Sequence, residues 1–174
     1  MRGARHWVGV VLVIAVVAAG CGGDSSGADD EEQARFRPGP VRRFLDQDLN
    51  EGAQTPVEVT GVRCPPAVAE GRTDRATCKV TINGVPVELD VERTGRRFSR
   101  TQAVVEVLRL ETFVMTQYDA RLGLAVIVDC GPEELLPVAP GDTIDCGATD
   151  GEGAKLTAGV TVEDLAGKVT VTLM

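Results

Sequence analysis

The chain has 174 residues, of which 43% are hydrophobic and 3% aromatic, and it carries a formal net charge of −8. Its length fits one domain or two small ones, and a core with so few aromatic residues must be built from aliphatic side chains, with valine favouring strands. An acidic chain lacks the excess of lysine and arginine that neutralises phosphates, so the composition argues against nucleic-acid binding.

Residues 1–20 have the pattern of a cleaved secretory signal. A positively charged start precedes the apolar run 7–19, which is too short to span a bilayer as a permanent helix. The small residues Ala18–Gly20 lead directly into Cys21. This ending resembles the bacterial lipobox, in which the cysteine receives a diacylglycerol thioether and becomes the new N-terminus. The resemblance implies lipidation at Cys21, and the alternative is an ordinary secretory signal or a membrane anchor with a chance cysteine.

Cleavage before Cys21 changes the chemistry available to the mature chain. It removes two of the 18 basic residues, the only histidine and the only tryptophan but none of the 26 acidic residues, which leaves a net charge of −10. Without histidine the chain has no Ser-His-Asp or Cys-His arrangement and no imidazole metal ligand. The negative charge also disfavours adhesion to anionic lipid, so we expect the lipid on Cys21 to hold the protein on the outer face of the cytoplasmic membrane.

Residues 21–39 are expected to form the lipidated N-terminus and a flexible acidic tether. They contain mainly glycine, serine and acidic residues, with Phe36 as the only large apolar side chain. Such a segment buries too little surface to offset the entropy of ordering it. A solvated spacer is therefore expected, and a binding tail at residues 29–32 is the alternative.

From residue 40 onward the sequence contains an internal repeat. Residues 41–64 and 107–130 are each 24 residues long, begin with a plausible helix, continue into a valine-rich strand and end in a cysteine. In both copies a proline follows two residues after this cysteine, and a Gly-x-Thr precedes the next one. The shared spacing predicts two similar modules, residues 40–104 and 105–174.

Each module is expected to contain one helix and about four strands. In the first, a helix at 40–50 precedes strands near 57–63, 76–82, 85–92 and 97–104. In the second, a helix at 106–117 precedes strands near 123–129, 144–148, 154–163 and 168–173. The expected turns are Asn83-Gly84, Asp150-Gly151 and Ala166-Gly167, although residues 97–108 could form one long strand running into the helix. The predicted fold class is α+β, with two tandem small domains, each one helix packed on a roughly four-stranded antiparallel sheet with one disulfide.

Four cysteines remain once Cys21 is set aside, namely Cys64, Cys78, Cys130 and Cys146. They allow three pairings, and the repeat selects Cys64–Cys78 and Cys130–Cys146 because one pair then falls inside each module. An exported chain meets an oxidising setting in which such bridges persist. A four-thiolate zinc site and a redox-active pair are the alternatives, and both are disfavoured because no two cysteines have CxxC spacing. We therefore expect no metal and no cofactor.

Several of these features occur together in one order. They are a lipobox cysteine, an acidic tether, a strand ending in Val62–Pro65, a Gly-x-Thr segment before a second cysteine, and the Asn83-Gly84 hairpin. The combination resembles the actinobacterial domain-of-unknown-function family 4333, small extracytoplasmic domains often found on lipoproteins. It covers residues 41–104 well and 107–173 more weakly. The resemblance implies an exported lipoprotein with one disulfide per domain, and it implies no reaction, ligand or functional residue.

Charged clusters are the first candidates for a site. The acidic loop contains Asp142, Asp145, Asp150 and Glu152. Its spacing does not match an EF-hand, so an exposed glycine-rich turn is favoured over a calcium site. The only basic cluster contains Arg93, Arg96, Arg97 and Arg100. A solvated hairpin end is favoured there over a site for an anionic cell-wall polymer.

The pair Glu133-Glu134 and the residue Tyr118 are the other candidates. Paired carboxylates perform acid–base chemistry in glycosidases, but a module of about 65 residues gives no indication of the cleft that they must flank. Tyr118 is the only tyrosine, and we expect it to pack beneath the second helix. No catalytic residue is assigned.

These features predict a membrane-anchored lipoprotein that binds a protein or cell-envelope component without catalysis. The anchor, the tether, the duplicated small domains and the missing catalytic residue types support this hypothesis. An inhibitor of an extracellular enzyme is the alternative, because tandem helix-plus-four-strand copies with one disulfide each are similar in outline to the β-lactamase inhibitory proteins. A carboxylate-based enzyme acting on envelope material is a third class.

Overall fold

The computed structural model describes residues 36–51, 53, 55–66, 68–70 and 72–174. The N-terminal half contains α1 (Pro38–Asn50), β1 (Val59–Arg63), β2 (Val68–Glu70), β3 (Thr73–Ile82), β4 (Val85–Thr94) and β5 (Arg97–Arg100). The C-terminal half contains β6 (Ala103–Glu106), α2 (Val107–Leu122), β7 (Val126–Asp129), β8 (Leu135–Val138), β9 (Thr143–Asp150), β10 (Lys155–Val162) and β11 (Val169–Leu173). Within these ranges, no helix has the length and apolar character needed to cross a membrane.

The two halves have the same strand order. The first sheet runs β1-β3-β4-β5, with β2 also paired to β3, and the second runs β7-β9-β10-β11. All pairings are antiparallel. The helix of each half contacts the first strand of its sheet, α1 with β1 and α2 with β7. The fold is therefore α+β, with one helix and a roughly four-stranded antiparallel sheet in each half, as the sequence predicts.

Each half has its own hydrophobic core because its strands alternate buried and exposed side chains. The N-terminal core includes Val41, Leu45, Val59, Val80, Leu89 and Val91. The C-terminal core includes Val114, Tyr118, Val128, Ala148, Val160 and Val162. In both cores one stripe of the helix covers the inner face of the sheet.

In each sheet one disulfide links the end of the first strand to its neighbour. Cys64 directly follows β1 and bonds to Cys78 in β3, while Cys130 directly follows β7 and bonds to Cys146 in β9. The Cα atoms are 4.2 Å apart in both pairs. These are the two pairs that the repeat predicts, and they occupy equivalent places in the two sheets.

Helix α2 is longer than the sequence predicts. It continues to Leu122 instead of ending at residue 117. Gly123 ends it, since this residue adopts a φ of +66° in the left-handed region and its N–H donates to the Asp119 carbonyl at 2.9 Å. The prediction placed Gly123 in the following strand, which begins instead at Val126.

The fold begins inside the predicted tether. The predicted tether includes Phe36, but the side chain of this residue is 4% exposed and its ring packs edge-on against Phe98, with centroids 5.8 Å apart. Helix α1 then starts at Pro38, two residues earlier than predicted. A single phenylalanine suffices to hold this segment because Phe98, which also contacts Phe44 of α1, offers an apolar surface.

Strand β1 contains a bulge that the prediction lacks. The register against β3 shifts between Thr60 and Arg63. Gly61 lies there with a φ of +60°, and a Cβ at this position would approach Thr81 Oγ1 to 2.7 Å. The extra residue turns both valines of β1 toward the core, which a regular strand of this sequence would not do.

Residues 97–106 form two strands, β5 and β6, where the sequence predicts one strand near 97–104 or a longer one over 97–108, and α2 begins at Val107. Strand β5 ends at Arg100, which is buried and forms an ion pair with Asp48 of α1. Arg100 Nη1 donates to the Gln102 carbonyl at 2.8 Å, and the Gln102 side chain accepts the N–H of Asp90 at 3.0 Å. These contacts fix the chain where it passes from the first sheet toward β6.

Strands β6 and β8 join the two halves. They pair with each other as a separate two-stranded ribbon. Ala103 and Val105 of β6 belong to the C-terminal core, while Val104 and Leu135 pack against the N-terminal core. The predicted module boundary, between Val104 and Val105, therefore lies within β6. Strand β8 was not predicted, because its residues lie in a proline-containing loop between two cysteines.

Candidate binding groove

A groove of about 1000 Å³ lies between the two halves. The N-terminal half contributes the segment after α1 and the β3–β4 hairpin. The C-terminal half contributes β6, the first turns of α2, the segment after Cys130 and the β10–β11 turn. The volume is at the upper end of the range found for small-ligand sites, so several side chains of a partner can enter.

Two large apolar side chains of α2 are exposed in this groove. The buried stripe of α2 has the expected helical spacing and consists of Val107, Leu110, Val114 and Tyr118. Leu108 and Phe113 fall outside this stripe and are 68% and 41% exposed. Half-buried aliphatic side chains extend the apolar surface, namely Leu49, Val57, Val85, Val104, Leu135 and Val169. Apolar side chains gathered on a concave surface are typical of an interaction site.

Two asparagines hold the N-terminal wall in place. The side chain of Asn50, the last residue of α1, both donates to the Val57 carbonyl and accepts the Val57 N–H, each at 2.8 Å. The Asn83 side chain accepts the Glu58 N–H at 2.8 Å, which ties the β3–β4 hairpin to the same segment. Residues 57 and 58 are therefore tied both to the end of α1 and to the β3–β4 hairpin.

The C-terminal wall is held by bonds between α2 and the segment after β7. The Glu111 carboxylate accepts the N–H of Cys130 at 3.0 Å. The N–H of Val107 donates to the Glu134 carbonyl at 3.1 Å. Residues 131–134 are consequently held against the start of α2, which places Glu133 and Glu134 beside the exposed Leu108.

Carboxylates dominate the charge of the groove. The acids that line it are Glu51, Glu106, Glu111, Glu133 and Glu134. Among the described residues, Arg109 is the one basic residue that lines the groove, and its Nε lies 2.7 Å from Glu106 Oε2. Across the part of the chain that the structure describes, Glu51, Glu133 and Glu134 form no ion pair. The sequence offers Glu133-Glu134 as a candidate pair for acid–base chemistry but gives no indication of a cleft. In the structure both residues line the groove.

The structure divides the predicted basic cluster. Arg100 is buried in its ion pair with α1, and the half-buried Arg93 has its Nε 3.9 Å from Asp74 Oδ2. Arg96 and Arg97 are exposed at the β4–β5 turn. The expected solvated hairpin end therefore describes Arg96 and Arg97, while the other two arginines have structural contacts.

The predicted acidic loop is part of a strand and its turn. Strand β9 contains Asp145 and ends at Asp150, and the turn to β10 spans residues 151–154. The Asp150 carboxylate accepts the N–H groups of Glu152 and Ala154 at 2.9 and 2.8 Å. Asp150 therefore caps its own turn, as expected of an aspartate at a turn.

Tyr118 is a packing residue, as expected. Tyr118 lies in the last turns of α2, and its side chain is fully buried between this helix and the second sheet. Its hydroxyl donates to the Thr157 carbonyl of β10 at 2.6 Å. Burial raises the pKa of the Tyr118 phenol. The hydroxyl thus fixes α2 to the sheet and is occupied by a backbone partner.

The exposed faces of the two sheets differ in chemistry. Charge pairs cross the first face, where Arg75 pairs with Glu92, and Lys79 Nζ lies 3.4 Å from Glu88 Oε1. The second face carries mostly hydroxyl groups, from Thr143, Thr149, Thr157, Thr161, Thr170 and Thr172. Ile127 lies on that second face and is 78% exposed. This face is a second possible contact surface.

The sequence pattern does not predict the groove, because the residues that line the groove come from segments far apart in the chain. The available signal was local, since Leu108 and Phe113 do not fit the buried stripe of their helix. Cys21, the predicted lipidation site, lies outside the described residues. Comparison with protein-family models, curated proteins and solved structures found no match for this chain.

Proposed function

We propose that this protein is a membrane-anchored extracytoplasmic lipoprotein that binds a protein or cell-envelope component through the groove. The observation that carries the proposal is the exposure of Leu108 and Phe113 on a concave surface that also holds Glu51, Glu133 and Glu134, which form no ion pair within the described residues. Large exposed apolar side chains favour association because a partner removes them from water. The protein would act by holding that partner at the membrane.

The anchor is proposed from the sequence of residues 1–39. The lipid on Cys21 holds the protein on the outer face of the cytoplasmic membrane, and the acidic segment after it separates the fold from the bilayer. Membership of family 4333, in two tandem copies, belongs to the same proposal. The common strand order of the halves and their equivalent disulfides support the duplication.

A binding role is proposed over catalysis because the mature chain has no histidine and the groove is mainly aliphatic. Two of its carboxylates have structural partners, since Glu106 pairs with Arg109 and Glu111 accepts the Cys130 N–H. A carboxylate enzyme would need two acids flanking the scissile bond. Hydrolysis of an envelope polysaccharide that is lost when the adjacent pair 133–134 is changed to glutamine would replace the binding proposal.

Inhibition of an extracellular enzyme is the second candidate. The hydroxyl-rich outer face of the second sheet, with Ile127 exposed on it, favours this alternative. The outline shared with the β-lactamase inhibitory proteins is a fold-level analogy and is a weak warrant for function. A loss of hydrolase rate with excess protein, reversed by Ile127→Asp, would support inhibition in place of groove binding.

The test compares what the full-length protein and its variants recover from native membranes. Cys21→Ser is expected to release the protein from the membrane fraction, and mass spectrometry of the wild type is expected to find a diacylglyceryl group on Cys21. Leu108→Asp is expected to lose the partner that the wild type recovers. Leu122→Asp is the matched control, since Leu122 is 55% exposed on the same helix but lies outside the groove.

Two results would contradict the proposal. Retention of the Cys21→Ser protein in the membrane fraction would contradict the lipid anchor. Equal recovery of the partner by wild type and Leu108→Asp would contradict the groove as the binding surface.

A further inference from the structure

We infer that the groove recognises a protein segment in which lysine or arginine residues stand beside apolar side chains. The inference rests on the proposed binding function and specifies the chemistry of the partner. It follows from two surfaces of opposite character that meet in one groove, an apolar wall and a set of carboxylates.

The apolar wall requires aliphatic or aromatic side chains from the partner. Leu108 is the most exposed large apolar residue of the groove, and Phe113 follows it on the same helix. Covering one such leucine changes an affinity by about tenfold or more. The half-buried Leu49, Val57 and Val85 on the N-terminal wall supply a second apolar surface, so an apolar side chain entering here contacts both walls.

The carboxylates require positive charge from the partner. Glu51, Glu133 and Glu134 line the groove without an ion pair in the described part of the chain, and Arg109 is already paired with Glu106. A neutral or acidic partner would remove water from these carboxylates without replacing it, which is unfavourable. Lysine or arginine side chains would pair with them and would accelerate encounter through long-range attraction.

Charge also disfavours occupants from this protein itself. Residues 22–35 contain five acids and one arginine, so they carry the same sign as the groove. A second copy of the mature chain would carry a net charge of −10 and present the same acidic groove. A separate, basic protein segment is therefore the occupant that complements both surfaces.

The test measures peptide binding by fluorescence anisotropy. The protein is the mature chain with Cys21→Ser, which removes only the lipid acceptor and leaves every described element intact. The probe is a labelled nine-residue peptide of alternating lysine and leucine. We expect it to bind at least about tenfold more tightly than a glutamate–leucine peptide and a lysine–serine peptide, with affinity falling as salt is raised.

Matched variants locate the binding in the groove. Leu108→Asp is expected to weaken binding about tenfold, and the double change Glu133→Gln and Glu134→Gln about fivefold with a weaker salt dependence. Their controls are Leu122→Asp and the double change Asp119→Asn and Glu152→Gln, which alter exposed residues outside the groove and should leave binding unchanged. The thermal midpoint of each variant shows whether it is folded. If Leu108→Asp does not fold, the double glutamine variant at positions 133 and 134 still tests the inference.

Three results of the peptide assay would overturn the inference. They are no binding of the lysine–leucine peptide, equal binding of all three peptides, and binding that neither groove variant weakens. Concentration-dependent dimerisation that Leu108→Asp abolishes would assign the groove to a second copy instead. If the membrane partner depends on Leu108 but the lysine–leucine peptide does not bind, this inference fails and the proposed binding function remains.

Discussion

The buried ion pair between Asp48 and Arg100 should respond very differently to loss of its two members. The Arg100 side chain is 8% exposed, and Arg100 is the one charged residue among the buried residues of the described ranges. Asp48 is 32% exposed, so water can solvate it when the guanidinium is absent. We therefore expect Asp48→Ala to cost about 3–5 kcal/mol of unfolding free energy, because a buried charge loses its partner.

The matched variant Arg100→Met removes the buried charge and keeps much of the side-chain volume. We expect it to cost about 1 kcal/mol or less, and we expect the double variant to be close to Arg100→Met alone. Urea unfolding followed by circular dichroism measures both, since the single tryptophan of the sequence, Trp7, lies within the predicted signal segment. With a slope of about 1–3 kcal/mol per molar urea, the midpoint of Asp48→Ala should fall by more than about 1 M. Equal losses for the two single variants, or losses that add in the double variant, would refute this reasoning.

Three further predictions concern stability. Gly61→Ala is expected to lower the free energy of unfolding by about 1–3 kcal/mol, because its Cβ would meet Thr81 Oγ1 at 2.7 Å and its φ is positive. The control Gly39→Ala should cost nothing, since a Cβ at position 39 has no atom within 4 Å and Gly39 has no positive φ. Equal urea midpoints for the two variants would contradict the bulge. Replacing either disulfide pair with serine should lower the free energy of unfolding by about 3 kcal/mol, since the bridges close loops of similar length, with sequence separations of 14 and 16. Losses for the two pairs that differ by more than about 2 kcal/mol would contradict their equivalence. Burial raises the pKa of Tyr118, so the stability contributed by its neutral phenol is present below a pH of about 10 and lost as pH rises through the folded-state pKa. Thermal midpoints measured across this range should fall less steeply for Tyr118→Phe, and identical slopes would contradict the assignment.

Features with a local cause could be predicted from the sequence. The Asn83-Gly84 hairpin is confirmed, with φ angles of 49° and 87°, because a two-residue turn depends on its own residue types. The α+β class follows from the alternation of a helical pattern with valine-rich strands. The disulfide pairs follow from the spacing of a repeat, which requires no knowledge of how the two halves meet.

Features that depend on distant contacts could not be predicted. Strand β8 forms only because β6 lies beside it, and Leu135 is half-buried only because the N-terminal core is adjacent. Phe36 is held by Phe98, which is far away in sequence. The groove depends on distant contacts in the same way. Its walls come from both halves, and its position depends on how β6 and β8 pack between the two halves.

Photo-crosslinking from inside the groove tests most directly whether a partner binds there. A photoreactive phenylalanine analogue placed at Phe113 in the full-length protein is expected to form a defined adduct in intact cells. The linked peptide should contain lysine or arginine beside apolar residues. The same analogue at Ile127, on the outer face of the second sheet, is the control and should not form this adduct. A specific adduct from Ile127 alone, or equal adducts from both positions, would contradict the groove as the binding site.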